Sequence, residues 1–375
     1  MESSKAGVVS LTKVQFYTQR KVEFGQAVYV CGNSQALGDW DPRKAPKLEW
    51  TKGDNWKKAI LLPVPSDIEY KFIISTTDPG DMHYVLWDEG PNAKLSLFGK
   101  DADAPITKEI NVMSFNIRYD NEGDGANKWY FRKDLVANTI KLYGCDFVGI
   151  QEALYHQITD LNSMLPTYMA YGRGRGEHWM AGEACPIYYL HEKWELIEGN
   201  TFWLSDMPEI PASTTFGNTI PRICTWAIFK NKLNDDECFV LNTHLDHLNA
   251  NSQRESAKLI ASTIKTIAIK YDKIILTGDF NVGEDDEAIE IIKRVGPKMS
   301  ESLSEVCPEK KDRKDKGTFH HWTGIRDSLK IDYIFVSSAL KTKEFKIIYD
   351  NIKGKYPSDH FPIIGVFTPT KEPSK

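Results

Sequence analysis

Closely spaced cysteines are missing from this chain. Its six cysteines (Cys31, Cys145, Cys185, Cys224, Cys238 and Cys307) are scattered over 375 residues, and none forms a CxxC pair. That spacing argues against a zinc site or a disulfide framework and for reduced thiols. A basic surplus is missing too: the net charge is −5 and the isoelectric point is near 6.0. Generic high-affinity nucleic-acid binders usually carry the opposite balance, although a local basic groove is compatible with an acidic total. No apolar run is long enough to span a bilayer. Met1 to Ala6 lacks the apolar core of a signal peptide. The expectation is a soluble cytoplasmic protein without a membrane span.

Enough apolar residue is present, 41%, to build packed cores, and the length makes two domains the natural division. Residues 1–100 read as all-β. Short alternating runs at Val9 to Tyr17, Ala27 to Cys31, Lys57 to Leu62, Glu69 to Ile74 and Ala93 to Leu97 are separated by turn residues such as Gly32-Asn33 and Asp78-Pro79-Gly80-Asp81. Strands at this spacing predict a β-sandwich. Two tryptophans stand in polar turns, Trp40 in Gly38-Asp39-Trp40-Asp41-Pro42 and Trp87 in Trp87-Asp88-Glu89-Gly90-Pro91-Asn92. Such rings either stack on sugars or fold back as lids on the sandwich.

The pieces Val28 to Asn33, Leu37 to Trp40, Asn55-Trp56, Glu69 to Ile73 and Trp87 to Asn92 resemble the family 20 starch-binding modules, which have an Ig-like sandwich fold. The resemblance implies α-glucan (glycogen or starch) as a partner, with Trp40, Lys71, Trp87 and Asn92 forming one glucan site. Trp56 is expected to pack the sheet.

Gly99 to Pro105 is polar, small and Pro-ended, so residues 101–107 read as a linker. From 108 onward strands and helices alternate, which predicts a layered α/β domain. Strands are expected at Ile110 to Asn116, Phe147 to Glu152, Pro186 to Leu190, Cys224 to Phe229, Cys238 to Asn242, Ile331 to Val336 and Phe361 to Phe367. A helix is expected from Tyr130 to Tyr143, with Phe131, Leu135, Thr139 and Leu142 on one face. Another is expected to open at a Ser252-Gln253-Arg254-Glu255 capping box and to carry Ile260, Ile264, Ile267 and Ala268 inward.

Ile274 to Leu276 form a buried strand that runs out at Gly278, followed by Asp279 and Asn281. In α/β sheets, ligands gather just past the carboxyl ends of the strands. A carboxylate beside a neutral amide suits chemistry on a water proton next to an oxyanion. Asn116, Glu152, His244, Asp332, Asp359 and His360 also fall at or beside strand ends. Asp332 lies inside an apolar strand, and a buried carboxylate needs a partner. The imidazole of His360 is one candidate. That leaves Asp359 free to meet a hard cation with Glu152. Carboxylates with an amide oxygen and water fit Mg²⁺ better than zinc.

Ser114 to Arg118, Gln151-Glu152, Asn242 to Leu245, Gly278 to Asn281, Ile331 to Ile334 and Ser358 to His360 together resemble the endonuclease/exonuclease/phosphatase superfamily, in its order. The resemblance implies a DNase I-like four-layer α/β sandwich over 108–375 and Mg²⁺, with Mn²⁺ as a substitute. It implies that Asn116 and Glu152 hold the metal with Asp359 nearby, and that Asp279 orients or deprotonates the attacking water. Asn281 and His244 would contact phosphoryl oxygens, and Asp332 would fix the tautomer of His360. Glu183 would buttress the first histidine. Arg222 is either a phosphate ligand or a surface arginine. The implied reaction is hydrolysis of a phosphate ester by in-line attack of water. Three functions compete: a phosphoesterase targeted to α-glucan, a nuclease or nucleotide phosphodiesterase that uses the glucan module only for localisation, and a silent glucan-binding scaffold.

Overall fold

A computed structural model describes residues 10–51, 54–64, 66–76, 85–88, 92–97, 109–296, 298–309, 313 and 315–370. The linker expected at 101–107 lies outside the described residues, as do Met1 to Ala6, the Asp78 to Asp81 turn and Glu89 to Pro91. The chain divides into two compact units, Met1–Thr107 and Lys108–Lys375. Among the described residues no helix is long and apolar enough to cross a membrane.

The first unit holds seven strands among its described residues: β1 (Ser10–Gln19), β2 (Gln26–Gly32), β3 (Glu49–Thr51), β4 (Asn55–Val64), β5 (Ser66–Thr76), β6 (Val85–Trp87) and β7 (Ala93–Leu97). One sheet has the order β1-β4-β3. The other has β2-β5-β6, with β7 also on β5. Phe16, Ile60 and Leu62 of the first meet Val28, Val30, Ile68 and Ile73 of the second, which makes the unit a sandwich. Trp56 is buried, and its indole donates to Arg20 O at 2.9 Å. Trp87 ends a strand; the three-residue β6 is too short to read from sequence.

Among its described residues the second unit contains two six-stranded sheets. Its strands are β8 (Ile110–Asn116), β9 (Phe147–Gln151), β10 (Tyr168–Tyr171), β11 (Ile187–Leu190), β12 (Trp194–Trp203), β13 (Ile223–Asn231), β14 (Glu237–His244), β15 (Ile274–Asp279), β16 (Met299–Glu301), β17 (Asp332–Ser337), β18 (Leu340–Ile347) and β19 (Ile363–Pro369). Its helices are α1 (Trp129–Tyr143), α2 (Tyr155–Met164), α3 (Ala250–Ile267), α4 (Glu287–Arg294) and α5 (Ser302–Val306). The sheet orders are β10-β11-β9-β8-β19-β18 and β12-β13-β14-β15-β17-β16. Their inner faces pack together through Val112, Phe147 and Ile187 against Ala227, Val240, Ile275 and Ile334. Val136, Ile140 and Leu161 of α1 and α2 cover the outside of the first sheet. Ile260, Ile264, Ile289 and Ile292 of α3 and α4 cover the outside of the second. This is the four-layer α/β/β/α sandwich expected of a DNase I-like fold.

Two helix details differ from the sequence reading. In α1 the buried residues are Trp129, Arg132, Val136, Ala137, Thr139 and Ile140, so Thr139 faces inward as expected while Phe131 and Leu142 are exposed. Packing selects the stripe that meets the sheet, whatever apolar residues lie outside it. Helix α3 starts earlier, because Asn249 caps it by accepting from Ser252 N at 2.9 Å.

Among the described residues only β8–β9 and β14–β15 pair in parallel, and their carboxyl ends lie at one edge. Strands β17 and β19 run antiparallel to these and so begin at that edge. A polar bridge locks the two sheets beneath it. Asn242 Nδ2 donates to Ile150 O at 2.7 Å and Pro186 O at 3.0 Å, while its Oδ1 accepts from Gln151 Nε2 at 2.7 Å and Thr277 Oγ1 at 3.0 Å. Gly149 sits against this bridge; a Cβ there would lie 2.1 Å from Thr277 Oγ1 and 2.7 Å from Asn242 Oδ1. Gly149→Ala should therefore destabilise the protein by about 3 kcal/mol, the upper range for overpacking. Urea denaturation should show a lower midpoint with an unchanged slope.

Candidate active site

Strand register brings the distant motifs together. Asn116 is level with Gln151, His244 with Asp279, and Asp279 with Asp332. Asn116 then bridges two acids: its Nδ2 donates to Glu152 Oε1 at 3.0 Å and to Asp279 Oδ2 at 2.9 Å. Its Oδ1 accepts from Arg118 N at 2.9 Å. Asn116 thus presents nitrogen to the carboxylates, which differs from the metal-ligand role that the resemblance implies. Glu152 and Asn281 both adopt left-handed backbone, at φ 63° and 54°. Such strain in non-glycine residues persists only where the surroundings enforce it.

Asp279 Oδ1 accepts from Asn281 N at 3.0 Å. Asn281 Nδ2 stands 2.9 Å from His244 Nε2 and 3.1 Å from Leu245 O, so both its amide hydrogens are engaged within the protein. His360 Nδ1 lies 2.9 Å from Asp332 Oδ2, and its Nε2 lies 3.8 Å from Asp279 Oδ2. Asp332 is held in turn by its backbone N–H on Thr318 Oγ1 at 3.1 Å. The loop carrying Thr318 escaped the sequence reading because it lacks periodicity, although its hydroxyl orders the pair.

Electrostatics divide the two histidines. Burial alone would neutralise His360, but the charges of Asp332, Asp279 and Asp359 prevail and raise its pKa to about 10. His244 is held well below the ordinary range by burial and by the charges of Arg222, Arg175, His360 and His247. Asp279 is pushed up to about 7, first by burial and then by Asp332. Asp359 is raised by burial, with the charge of Glu152 adding to it.

These carboxylates suit a hard cation. Glu152 is bonded by the neutral donors Asn116 and Tyr119 N, at 3.0 and 3.1 Å, rather than by a side-chain cation. The nearest guanidinium to Asp359 is that of Arg118, at 3.8 Å, and it is already forked onto Asp124 at 3.0 Å. Glu152, His244 and Asp279 each bring one donor atom within 4.8 Å of the others. Oxygen-rich donors with no thiolate fit Mg²⁺ or Mn²⁺.

Glu183 does not reach His244. Both its oxygens are taken by Arg175, at 2.9 and 2.6 Å, because the loop after β10 folds Arg175 over it. Arg222 is no surface arginine: it is buried, donates to His247 Nδ1 at 2.9 Å and lies 3.6 Å from Asp246. Arg175 was missed by the sequence reading. Its signal was the Gly172-Arg173-Gly174-Arg175-Gly176 alternation, in which the last two glycines press on Ala181 too closely for a Cβ.

In the first unit the four residues expected to form a glucan site, Trp40, Lys71, Trp87 and Asn92, lie on or beside β5 and its neighbours. Gly38, Asp39 and Trp40 are all left-handed, at φ 86°, 49° and 62°. Trp40 N donates to Gly32 O at 2.8 Å, which places its ring 6.2 Å from that of Trp87 with the planes 40° apart. Lys71 Nζ donates to Asp88 O at 3.1 Å, and Asn92 Nδ2 to Glu69 Oε2 at 3.0 Å. The indoles form a tilted pair in which Trp40 packs partly on the sandwich core, as a lid would, while Trp87 is exposed.

A four-layer sandwich with acids, amides and a carboxylate-held histidine at its strand ends defines a phosphoesterase-type fold. Residues 113–360 match the family model described as Endonuclease/Exonuclease/phosphatase family, and residues 11–106 match the Starch binding domain. The chain belongs to the endonuclease/exonuclease/phosphatase family and carries a starch-binding domain. A family member from Bacteroides vulgatus is 34% identical, with a TM-score of 0.64, over 70% of this chain and 99% of that one. A mannosyl-6-phosphatase from Bacteroides thetaiotaomicron is 29% identical, also with a TM-score of 0.64, over 69% of this chain and 99% of that one. The N-terminal unit is 37% identical to part of an alpha-amylase from Streptomyces violaceus, over 18% of this chain and 11% of the amylase.

The Asp332–His360 pair makes stability depend on pH. His360 binds its proton more tightly when folded, so the pair contributes fully below about pH 6.5 and its contribution is lost as pH rises towards about 10. Asp332→Asn should cost about 3 kcal/mol at pH 6, the lower range for breaking a buried pair. Urea melts in EDTA should show the gap to wild type closing towards pH 10, and parallel curves would contradict the pairing.

Proposed function

We propose that the protein is a Mg²⁺-dependent phosphoesterase held at glycogen or starch by its N-terminal domain. The observation that carries this reading is Asn116 Nδ2 clamping Glu152 and Asp279 together while His360, paired with Asp332, faces Asp279. Glu152 would hold the cation with Asp359 and Asp279. The cation, when bound, supplies neutralisation of charge on the phosphoryl and leaving oxygens. Asp279 orients the attacking water and takes its proton. The water oxygen bonds to phosphorus as the ester P–O bond breaks, and the leaving oxygen takes a proton from solvent. The His360 imidazolium donates to a phosphoryl oxygen. Substrate takes over the amide hydrogen that Asn281 gives to His244 Nε2, and neutral His244 then carries its one ring proton on Nε2, so that both residues donate to phosphoryl oxygens.

The substrate class is a phosphorylated sugar or glucan. The name of the mannosyl-6-phosphatase relative points to sugar phosphates. The net charge of −5 weighs against long nucleic acid, and the Trp40–Trp87 pair suits a glucan chain.

Asp279→Asn should lower kcat by about 10²–10³, the range for losing one oriented catalytic group, with unchanged circular dichroism. Chelation should abolish turnover, and Mg²⁺ or Mn²⁺ should restore it. Full activity in the variant would refute the role given to Asp279. Replacing Trp40 and Trp87 together by Ala should weaken co-sedimentation with glycogen about tenfold, a loss of about 1.4 kcal/mol, and leave turnover of a soluble phosphate ester unchanged. Cleavage of oligonucleotides in preference to phosphoglucan would favour a nuclease. Inertness towards every ester would leave a glucan-binding scaffold.

A further inference from the structure

Beside the acidic cluster lies a second recess, which two guanidiniums share with two carboxylates. Glu152, Arg175, Glu183, Cys185, Arg222, Ile223 and His244 enclose about 10 Å³, room for one oxygen-sized group. Two guanidiniums reach this recess from different elements, Arg222 just before β13 and Arg175 from the loop between β10 and β11. Arg222 is 4% exposed, and its Nε has no hydrogen-bond partner. Its Nη2 is fixed by His247 at 2.9 Å, and Asp246 stands 3.6 Å from Nε, beyond hydrogen-bond reach. A buried N–H of this kind calls for an acceptor.

Arg175 is aimed by Glu183, whose carboxylate holds it in a two-bonded fork. Arg175 is held below the usual guanidinium range by burial; Glu183 counters this, and the charge of Arg222 adds to the lowering. Each guanidinium has a carboxylate neighbour, Glu183 for Arg175 and Asp246 for Arg222, so what the recess offers an anionic oxygen is directed N–H donors from two sides, not a net positive charge. On its other side the recess opens onto His244 and Glu152, the edge of the acidic cluster.

A phosphate monoester has three terminal oxygens and a diester two. The proposed mechanism engages terminal oxygens through Asn281, His244, His360 and the cation. A third bare oxygen fits the recess, whereas an esterified oxygen would drive its carbon chain into the Arg175–Glu183 wall. We propose that Arg222 and Arg175 bind the third terminal oxygen of a phosphate monoester, and that the enzyme cleaves monoesters in preference to diesters. This rests on the phosphoesterase reading above and narrows its substrate class. Glu183 is a positioning residue for Arg175. Water adds to phosphorus, the single ester bond breaks, and the products are an alcohol and inorganic phosphate.

The test uses the full chain with Mg²⁺, p-nitrophenyl phosphate and bis-p-nitrophenyl phosphate. Wild type should favour the monoester in kcat/KM by about 100-fold or more. Arg222→Lys should lower monoester kcat/KM about 100-fold while changing the diester value little, because a point charge does not replace the directed guanidinium N–H. Glu183→Gln should shift the same ratio in the same direction, which a general loss of folded protein would not do. In an Asp279→Asn background, calorimetry should show inorganic phosphate binding weakened about tenfold or more by Arg222→Lys. Wild-type preference for the diester, or equal losses on both esters, would overturn the proposal while leaving a phosphoesterase. Hydrolysis of neither ester, with Arg222-dependent phosphate binding intact, would overturn the phosphoesterase reading and the preference and uphold the oxygen recess alone.

Discussion

Asn116 holds the structure's two opposed demands together. The site needs Glu152 and Asp279 close to each other in a region from which water is largely excluded, and like charges so placed repel. One amide nitrogen within 3.0 Å of both acids offsets part of that repulsion without adding a positive charge. A lysine in its place would neutralise the pair and leave nothing for a cation to bind. The amide oxygen is anchored on Arg118 N, so the amide cannot turn over without losing that bond. The parallel β8–β9 pairing supplies Asn116 and Glu152, and the register of β15 supplies Asp279. The facing sheets therefore have to be locked rigidly, which the buried Asn242 bridge does.

The sequence made some of this legible for a physical reason. Asp332 stands in an apolar strand, and a carboxylate buried there has few chemically sensible partners, so its pairing with His360 could be anticipated. The polar ends of β8, β9, β14 and β15 were legible because apolar runs end abruptly in Asn, Glu, His and Asp. What escaped was set by loops. The partner of Glu183 depends on how the chain after β10 folds back, and no periodicity encodes that path. Arg222 was ambiguous because its burial is decided by His247 and Asp246, which lie 25 and 24 residues away in sequence and meet it only through the pairing of β13 with β14. The face of α1 was partly misread because large exposed side chains, Phe131 and Leu142, imitate an inner stripe.

Backbone strain marks both units at the places argued to be functional. In the sandwich, three successive left-handed residues turn Trp40 beside Trp87. In the larger unit, Glu152 and Asn281 are left-handed one and two residues after their strands end. In each case the conformation aims a side chain that an ordinary turn would send elsewhere. The cost is borne by hydrogen bonds from the same segment: Trp40 N to Gly32 O, Asn281 N to Asp279, and Glu152 oxygens to Asn116 and Tyr119 N.

Charge is distributed across the pocket in a way that gives a bound anion a direction. Glu152, Asp279 and Asp359 form one side and need a cation between themselves and any phosphate. Arg175, Arg222 and His360 need none. A phosphate bridging the two sides would have its attacked face towards Asp279 and its remaining charge towards the guanidiniums. His244 sits at the junction and must stay neutral, since a second imidazolium there would add to two arginines and His360. Burial and those same positive neighbours keep it so. Neutral His244 and charged His360 are thus two outcomes of one field: both stand near Asp279, at 3.6 and 3.8 Å, but only His360 is hydrogen-bonded to a buried carboxylate, Asp332 at 2.9 Å.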